Sequence, residues 1–317
     1  MAKYVFGPVP SRRLGKSLGI NNIPGKVCTY SCIYCQAGRT VNLTVTRKSF
    51  YDPQKVADEV VEKCLEIGFE KIDYITFVPN GEPTLDVNLG KIVDRVRSRV
   101  DVKLAILTNG SLIWMSDVAD DLMLFDLVSV KLDSGLEDVW RRINRPHPRL
   151  SFSNIIDGIL EFSKTYSGKL ITETMLVKEV NDSLENARAI AEILSKLGPN
   201  KAYISVPIRP PSEKWVKPPD EKAIAMFYHE FSRKLGEDRV ETLTGYETDE
   251  FIVEEDPREY IAKLTRVHPL RLDYAEEILR KKGINLNEIL AELENKYGVV
   301  VVKHLGHRFL VKRLRRE

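Results

Sequence analysis

Cys28, Cys32 and Cys35 lie within eight residues, in the run Cys-Thr-Tyr-Ser-Cys-Ile-Tyr-Cys. Three thiolates this close leave a tetrahedral zinc site one ligand short, and no histidine stands within a hundred residues of them. They suffice for three irons of a [4Fe–4S] cluster, because such clusters are held by cysteine thiolates. The fourth iron then stays open to a ligand from outside the protein, as catalytic metal sites keep a position open. A disulfide framework belongs to small secreted domains. This chain has 317 residues, four cysteines and a start, Met-Ala-Lys-Tyr-Val-Phe-Gly-Pro, without the apolar stretch of a signal peptide. The fourth cysteine, Cys64, falls on the apolar side of a helical run and reads as a small buried hydrophobe.

The CxxxCxxC spacing, with Tyr34 just before the last cysteine, resembles the signature of the radical S-adenosylmethionine (radical SAM) superfamily. The resemblance implies that Cys28, Cys32 and Cys35 bind a [4Fe–4S] cluster whose open iron chelates the methionine part of S-adenosyl-L-methionine. It implies that one electron, from a donor of the ferredoxin or flavodoxin type, cleaves the sulfonium. The resulting 5′-deoxyadenosyl radical takes a hydrogen atom from the substrate. Tyr34 would lie against the adenine edge.

Something must carry these cysteines, and the chain alternates short apolar runs with amphipathic helical ones, the βαβ signal of a parallel sheet. Strands are expected at 17–21, 72–78, 103–107, 127–132, 170–177 and 202–207. Helices are expected between them at 53–67, 89–100, 116–121, 154–164 and 183–197. That makes about six β/α units, fewer than a closed eight-unit barrel needs. The hydrophobic pattern does not separate an open barrel from a doubly wound sheet; the resemblance favours an open, TIM-like (β/α)6 barrel over residues 1–212.

Chemistry in such barrels gathers at the C-terminal strand ends, and polar residues collect there. Gly81-Glu82-Pro83 follows the second strand and resembles the family's GGE-type motif, whose backbone bonds the S-adenosylmethionine amino group; Asn80 replaces a first glycine. A plain turn also explains this run. Asn109, in Asn-Gly after the third strand, is a candidate for the ribose hydroxyls. Lys131 and Asp133 share a face of the fourth strand, where they can pair with each other. Otherwise Lys131 is free to bind a carboxylate or form an imine, and Asp133 to orient substrate. Glu173 is a candidate pocket carboxylate on the fifth strand, with Thr172 or Thr174 turned the other way. Arg209 stands at the mouth after the sixth strand, with Val206 or Ile208 against the adenine. Before the first strand, residues 6–19 read as a basic, loop-like lead-in. Together with Cys35-Gln36-Ala-Gly-Arg39-Thr they resemble a branch related to wyosine tRNA-modification enzymes. Those enzymes carry extra cysteines for a second cluster; here only Cys64 is left over, so wyosine synthesis itself is not implied.

Net charge is +2, unevenly spread. Residues 258–317 hold fourteen Lys and Arg against eight Asp and Glu, a net of +6, which leaves 34 − 38 = −4 for the rest. An anionic partner or a solvated lysine-rich surface accounts for this equally well. The second fits a chain with two glutamines and abundant Lys and Glu, a bias of hyperthermophile proteins. Residues 213–256 read as a connecting segment with a helix near 220–235. Residues 257–317 show three short helices and a hairpin, resembling a winged helix. Its third helix is acidic for a groove reader, whereas Lys303, Arg308, Lys312, Arg313, Arg315 and Arg316 in the wing and tail suit phosphates. His304 and His307 read as turn residues. Apolar runs are too short for a membrane span, and a cytoplasmic location, where thiols stay reduced, is expected.

The expected function is therefore a radical SAM enzyme acting on RNA, tRNA first, recruited by the basic module. A protein or peptide substrate docked on that module is the runner-up. A non-catalytic iron–sulfur electron-transfer or metal-sensing protein is the rival of another class; it gives the strand-end residues no use.

Overall fold

The computed structural model describes residues 4–246, 251–253 and 255–313. The chain opens with β1 (Val5–Ser11) and β2 (Gly15–Ile20), then the two-residue strands β3 (Val27–Cys28) and β4 (Asn42–Leu43). There follow α1 (Pro53–Ile67), β5 (Tyr74–Phe77), α2 (Leu89–Arg97), β6 (Lys103–Thr108), α3 (Ser116–Met123), β7 (Leu127–Lys131), α4 (Glu137–Asn144) and α5 (Phe152–Thr165). Next come β8 (Lys169–Met175), α6 (Leu184–Leu197), β9 (Lys201–Ser205), α7 (Glu221–Leu235) and β10 (Val240–Leu243). The eight-stranded sheet has the order β1-β2-β5-β6-β7-β8-β9-β10, with β1 antiparallel to β2 and every other neighbour parallel.

The sheet is an open, curled half-barrel. At its base the β1–β2 turn reaches across the interior. Leu14 packs on Ala105, Leu127, Ile171, Tyr203 and Leu243, and Arg12 bonds the carbonyl of Gly245 beyond β10. Period-two alternation sorts the strands. Leu18, Ile75, Phe77, Leu104, Ile106, Val128 and Val130 pack outward against α1 and α2 through Val56, Val60, Cys64, Ile92 and Val96. The other face turns Ser17, Thr76, Leu107, Ser129, Lys131, Glu173 and Ser205 inward. Helices begin where a side chain can occupy the first free amides, as Asp52, Ser151, Ser183 and Asp220 do.

The C-terminal module runs α8 (Pro257–Leu264), β11 (Leu270–Arg271), α9 (Leu272–Arg280), α10 (Leu286–Tyr297), β12 (Val299–His304) and β13 (His307–Lys312), with sheet order β11-β13-β12. Helix, strand, two helices and a hairpin is the winged-helix arrangement. Its core, built on Tyr260, Ile261, Leu279, Leu293 and Leu310, takes in Phe6 from β1. The Tyr260 hydroxyl donates to the Pro8 carbonyl at 2.8 Å.

Three expectations change. Residues 6–19 are no loop: Phe6 pairs with Gly19 and, past a shift of register, Val9 pairs with Ser17, so the lead-in forms a sheet edge. Residues 213–256 hold the expected helix, α7, but do more than connect, because they also supply β10, which extends the parallel sheet beyond β9. Val-Glu-Thr-Leu is too short and half-polar to announce a strand; only Val240 and Leu243 are buried. A further helix, α4, is set by Glu137 and Asp138 in its first turn and Arg141 and Arg142 in its last, which complement the helix dipole. No described helix is long and apolar enough to cross a membrane.

Candidate active site

A cavity of about 270 Å³ opens at the C-terminal ends of the strands. Cys28, Cys32 and Cys35 all line it, brought there by β3 and the turns after it. Gly81 makes their approach possible: a Cβ on it would stand 1.7 Å from the carbonyl of Val27. The same carbonyl accepts the Glu82 amide at 3.1 Å. The Gly-Glu-Pro turn is thus pressed onto the strand that carries the first cysteine.

Each sulfur has a polar neighbour. Lys26 Nζ lies 2.9 Å from Cys35 Sγ, Asn144 Nδ2 is 3.4 Å from Cys32 Sγ, and Asn109 Nδ2 is 3.7 Å from Cys28 Sγ. Burial pushes the Cys28 thiol up to about 11 and raises Cys32 as well. Burial acts the same way on Cys35, but the Lys26 ammonium overrides it and holds that thiol below its ordinary value. Lys26 itself is 6 % exposed; burial lowers its pKa, yet the cysteine sulfurs, Cys35 first, hold it above the usual lysine value.

A [4Fe–4S] cluster fits this set. No three His, Cys, Asp or Glu side chains among the described residues converge on one metal ion. Three thiolates that each bind a different iron need not converge, and donors aimed at cluster sulfurs are a known means of tuning a cluster.

Two carboxylates line the cavity and each is held differently. Glu82 is 1 % exposed. Its Oε1 accepts from the Thr84 and Thr108 hydroxyls at 2.7 and 2.6 Å, and its Oε2 accepts the Asn109 amide at 2.8 Å. Burial raises its pKa, against these bonds. Glu82 therefore braces the turns after β5 and β6, leaving backbone atoms to face a ligand. Pro83 starts the short helical turn behind it and stays out of the cavity. Glu173 points inward between Lys131 Nζ at 3.1 Å, Ser205 Oγ at 2.8 Å and the guanidinium of Arg13. Burial lowers the pKa of Lys131, and lowers Arg13 to about 10. Thr174 faces away, its hydroxyl on the Leu132 carbonyl at 2.7 Å.

Asp133 and Asn109 sit close by but are spoken for. Asp133 accepts from the Tyr34 hydroxyl, from Asn144 Nδ2 at 2.7 Å and from the Met175 amide at 2.8 Å. It ties the cysteine loop to β7 and β8 and does not line the cavity. Lys131 pairs with Glu173, not with Asp133. Asn109 Nδ2 donates to Thr29 Oγ1 at 2.7 Å, so it anchors the cysteine loop. The Tyr34 ring lines the cavity with Lys131 Nζ 5.2 Å from its centroid. Val206, Ile208 and Arg209 form the rim, and Arg209 Nη1 reaches Gln36 Oε1 at 3.4 Å.

Residue-type reasoning missed Lys26, Arg13, Asn144, Ser129, Ser205 and Val267. Only Arg13 carried a signal, as part of a basic stretch with no assigned fold. Val267 comes from the C-terminal module: its carbonyl accepts Gln36 Nε2 at 3.2 Å, and its side chain lines the cavity. His304 Nε2 sits 3.0 Å from the Pro207 carbonyl, which docks the wing on the barrel rim. Lys303 and Lys312 face the barrel, Arg313 pairs with Glu294 at 3.2 Å, and Arg308 is exposed. Arg315 and Arg316 lie outside the described residues.

Comparison with known proteins places this geometry. The family model of the radical SAM superfamily matches residues 22–206. UPF0026 protein MJ1312 of Methanocaldococcus jannaschii is 45% identical over 98% of this chain and 96% of its own length. A probable dual-specificity RNA methyltransferase RlmN of Clostridium acetobutylicum is 27% identical over 57% of this chain and 52% of that protein. SuiB of Streptococcus suis, solved with S-adenosylmethionine and with its precursor peptide SuiA, superposes at a TM-score of 0.51 and 13% identity. That superposition covers 70% of this chain and about half, 49%, of SuiB.

Proposed function

This chain belongs to the radical SAM superfamily, and we propose that it is an RNA-modifying member whose cluster is held by Cys28, Cys32 and Cys35. When bound, the cluster supplies the electron that cleaves S-adenosylmethionine and so generates the 5′-deoxyadenosyl radical that takes hydrogen from the substrate. The electron comes from a one-electron donor of the ferredoxin or flavodoxin class.

The chain's own residues do the rest. Gly81 lets the backbone after β5 meet the cysteine strand, and Glu82 fixes that backbone for the amino group of S-adenosylmethionine. Val206, Ile208 and Val267 exclude water at the rim, with Val206 against the adenine and Arg209 available to an anionic group. Lys131, paired with Glu173, stands across the cavity and orients the substrate atom that loses hydrogen. The lining carries five cationic side chains, Arg12, Arg13, Lys26, Lys131 and Arg209, against Glu82 and Glu173. That excess suits thiolates, the cofactor carboxylate and a phosphate-bearing substrate.

The observation that carries the RNA reading is the docking of the basic module on the cavity rim through Val267 and His304. The resemblance to RlmN supports it. The acidic positions of α10, Glu288, Glu292 and Glu294, favour a peptide as the second reading. The test is anaerobic, dithionite-reduced protein with S-adenosylmethionine and total tRNA, following 5′-deoxyadenosine and hydrogen loss from RNA. Stimulation of 5′-deoxyadenosine by tRNA, absent in Cys32→Ala, is expected. Cofactor cleavage that RNA never stimulates and peptide does would replace the RNA reading.

A further inference from the structure

We propose that a single-stranded segment of the RNA substrate lies in a groove between the barrel and the C-terminal module, with one nucleotide turned into the S-adenosylmethionine cavity; this rests on the RNA reading above. The groove encloses about 530 Å³. Lys214 on the barrel side and Arg266, Lys303 and Lys312 on the module side face it, and no carboxylate is among the described residues that line it. Gln36 and Ala37, directly after the third cysteine, line both the groove and the cavity. A polymer in the groove is thereby led to the reacting centre, which a partner bound elsewhere on the module is not.

Trp215 follows Lys214 in the chain and is 52 % exposed. A cationic track beside an exposed aromatic is the usual platform for an unpaired strand: phosphates meet the lysines and a base stacks on the ring. Duplex RNA hides the faces and edges that radical chemistry on a base must reach, so an unpaired or flipped nucleotide is the form that fits. A folded electron donor cannot follow the groove inward, and an uncharged peptide has no use for a groove lined by four cations and no carboxylate among its described residues.

The probe is a fluorescein-labelled unstructured RNA of about 12 nucleotides, titrated by anisotropy with the reconstituted holoprotein over a salt series. Lys214→Glu with Lys303→Glu should weaken binding about tenfold or more and flatten the salt slope by about two; both residues are exposed, so the fold is kept. Trp215→Ala should weaken binding with little change in slope. Lys281→Glu with Lys282→Glu, an equal charge change away from the groove, should leave binding unaltered. If wild type binds RNA and the groove variants bind it equally well, the groove is wrong and the RNA reading stands. If wild type binds no RNA but takes an acidic peptide, both fall.

A different contact carries a separate inference. Lys26 is buried, and its ammonium meets the sulfur of Cys35 at 2.9 Å, where a buried cation ordinarily meets a carboxylate. We infer that Lys26 sets the reduction potential of the cluster, its fixed positive charge favouring the state with one more electron. The readout is an EPR-monitored reductive titration, with iron content measured on the same samples. Lys26→Met should move the midpoint to more negative potential at unchanged iron, and Lys26→Arg should hold it near wild type. If the methionine variant fails to load iron, Lys26→Gln, which keeps a donor and loses the charge, carries the test. An unchanged midpoint in an iron-replete, uncharged variant overturns the inference.

Discussion

The barrel mouth and the C-terminal module both carry many charges, and they manage them in opposite ways. At the mouth the charges are buried and matched atom by atom: Glu82 on two hydroxyls and two amides, Glu173 on Lys131 and Arg13. In the module many of them stand in water, as surface pairs such as Arg280–Glu277 at 2.8 Å and Arg313–Glu294. Buried partners that lose a mate keep the full desolvation penalty, whereas exposed pairs contribute little. Single substitutions should therefore be severe in the first region, while in the second only combined changes matter.

The largest effect should come from Cys32→Ala, which takes one iron ligand: 5′-deoxyadenosine production should vanish and iron content fall. Normal cleavage by this variant would remove the cysteines from the centre of the chemistry. Glu82→Ala strands several buried donors and should cost about 3 kcal/mol, read as a lower urea midpoint at constant slope. A cost below 1 kcal/mol would mean water replaces the carboxylate. Lys131→Met leaves Glu173 on Arg13 and Ser205, so cofactor cleavage should persist. Product formation should fall about 100-fold through misplaced substrate. Equal loss of both would make Lys131 part of cofactor binding instead.

Smaller tests lie in the module and in pH. Asn285 caps α10 by accepting the Asn287 amide at 3.0 Å. Asn285→Ala should lower module stability by about 1 kcal/mol and leave cofactor cleavage intact. Acid separates Asp86 of the barrel from the paired carboxylates of the module by sign. Burial raises Asp86 of the barrel to about 6, so its contribution to stability is present below the unfolded carboxylate value and is lost as pH rises toward 6. In the module, burial pushes Asp273 up, but Arg271 holds it below its ordinary value; Arg280 holds Glu277 low. Those contributions are present near neutrality and are lost as pH falls through the folded values. Hydrogen exchange resolved by region, corrected for intrinsic rates, should show the amides around Asp86 gaining on those around Asp273 and Glu277 between pH 7 and 4. Asp86→Asn should reduce that gain.

What was legible follows the same division. The six inner parallel strands announced themselves because β-branched alternation faces helices on one side only, and the cysteine spacing is local in the chain. The module's helices and hairpin were legible from their caps and from Val299–His304. What the sequence concealed depends on distant partners. Phe6 looks like loop until Gly19 lies opposite it. Asp133 looks like a substrate ligand until Tyr34 and Asn144 reach it from other elements. Lys26 carries no local sign that a sulfur nine residues on will be its neighbour.

The docking of the module on β1 has a consequence for biosynthesis. Because β1 precedes α8 in the chain, Phe6 stays uncovered until α8 is made, and the contacts of Gln36 with Val267 and of Pro207 with His304 wait for the module as well. Until then the cavity lacks the Val267 side of its rim, so the module is the last part of the site to be completed.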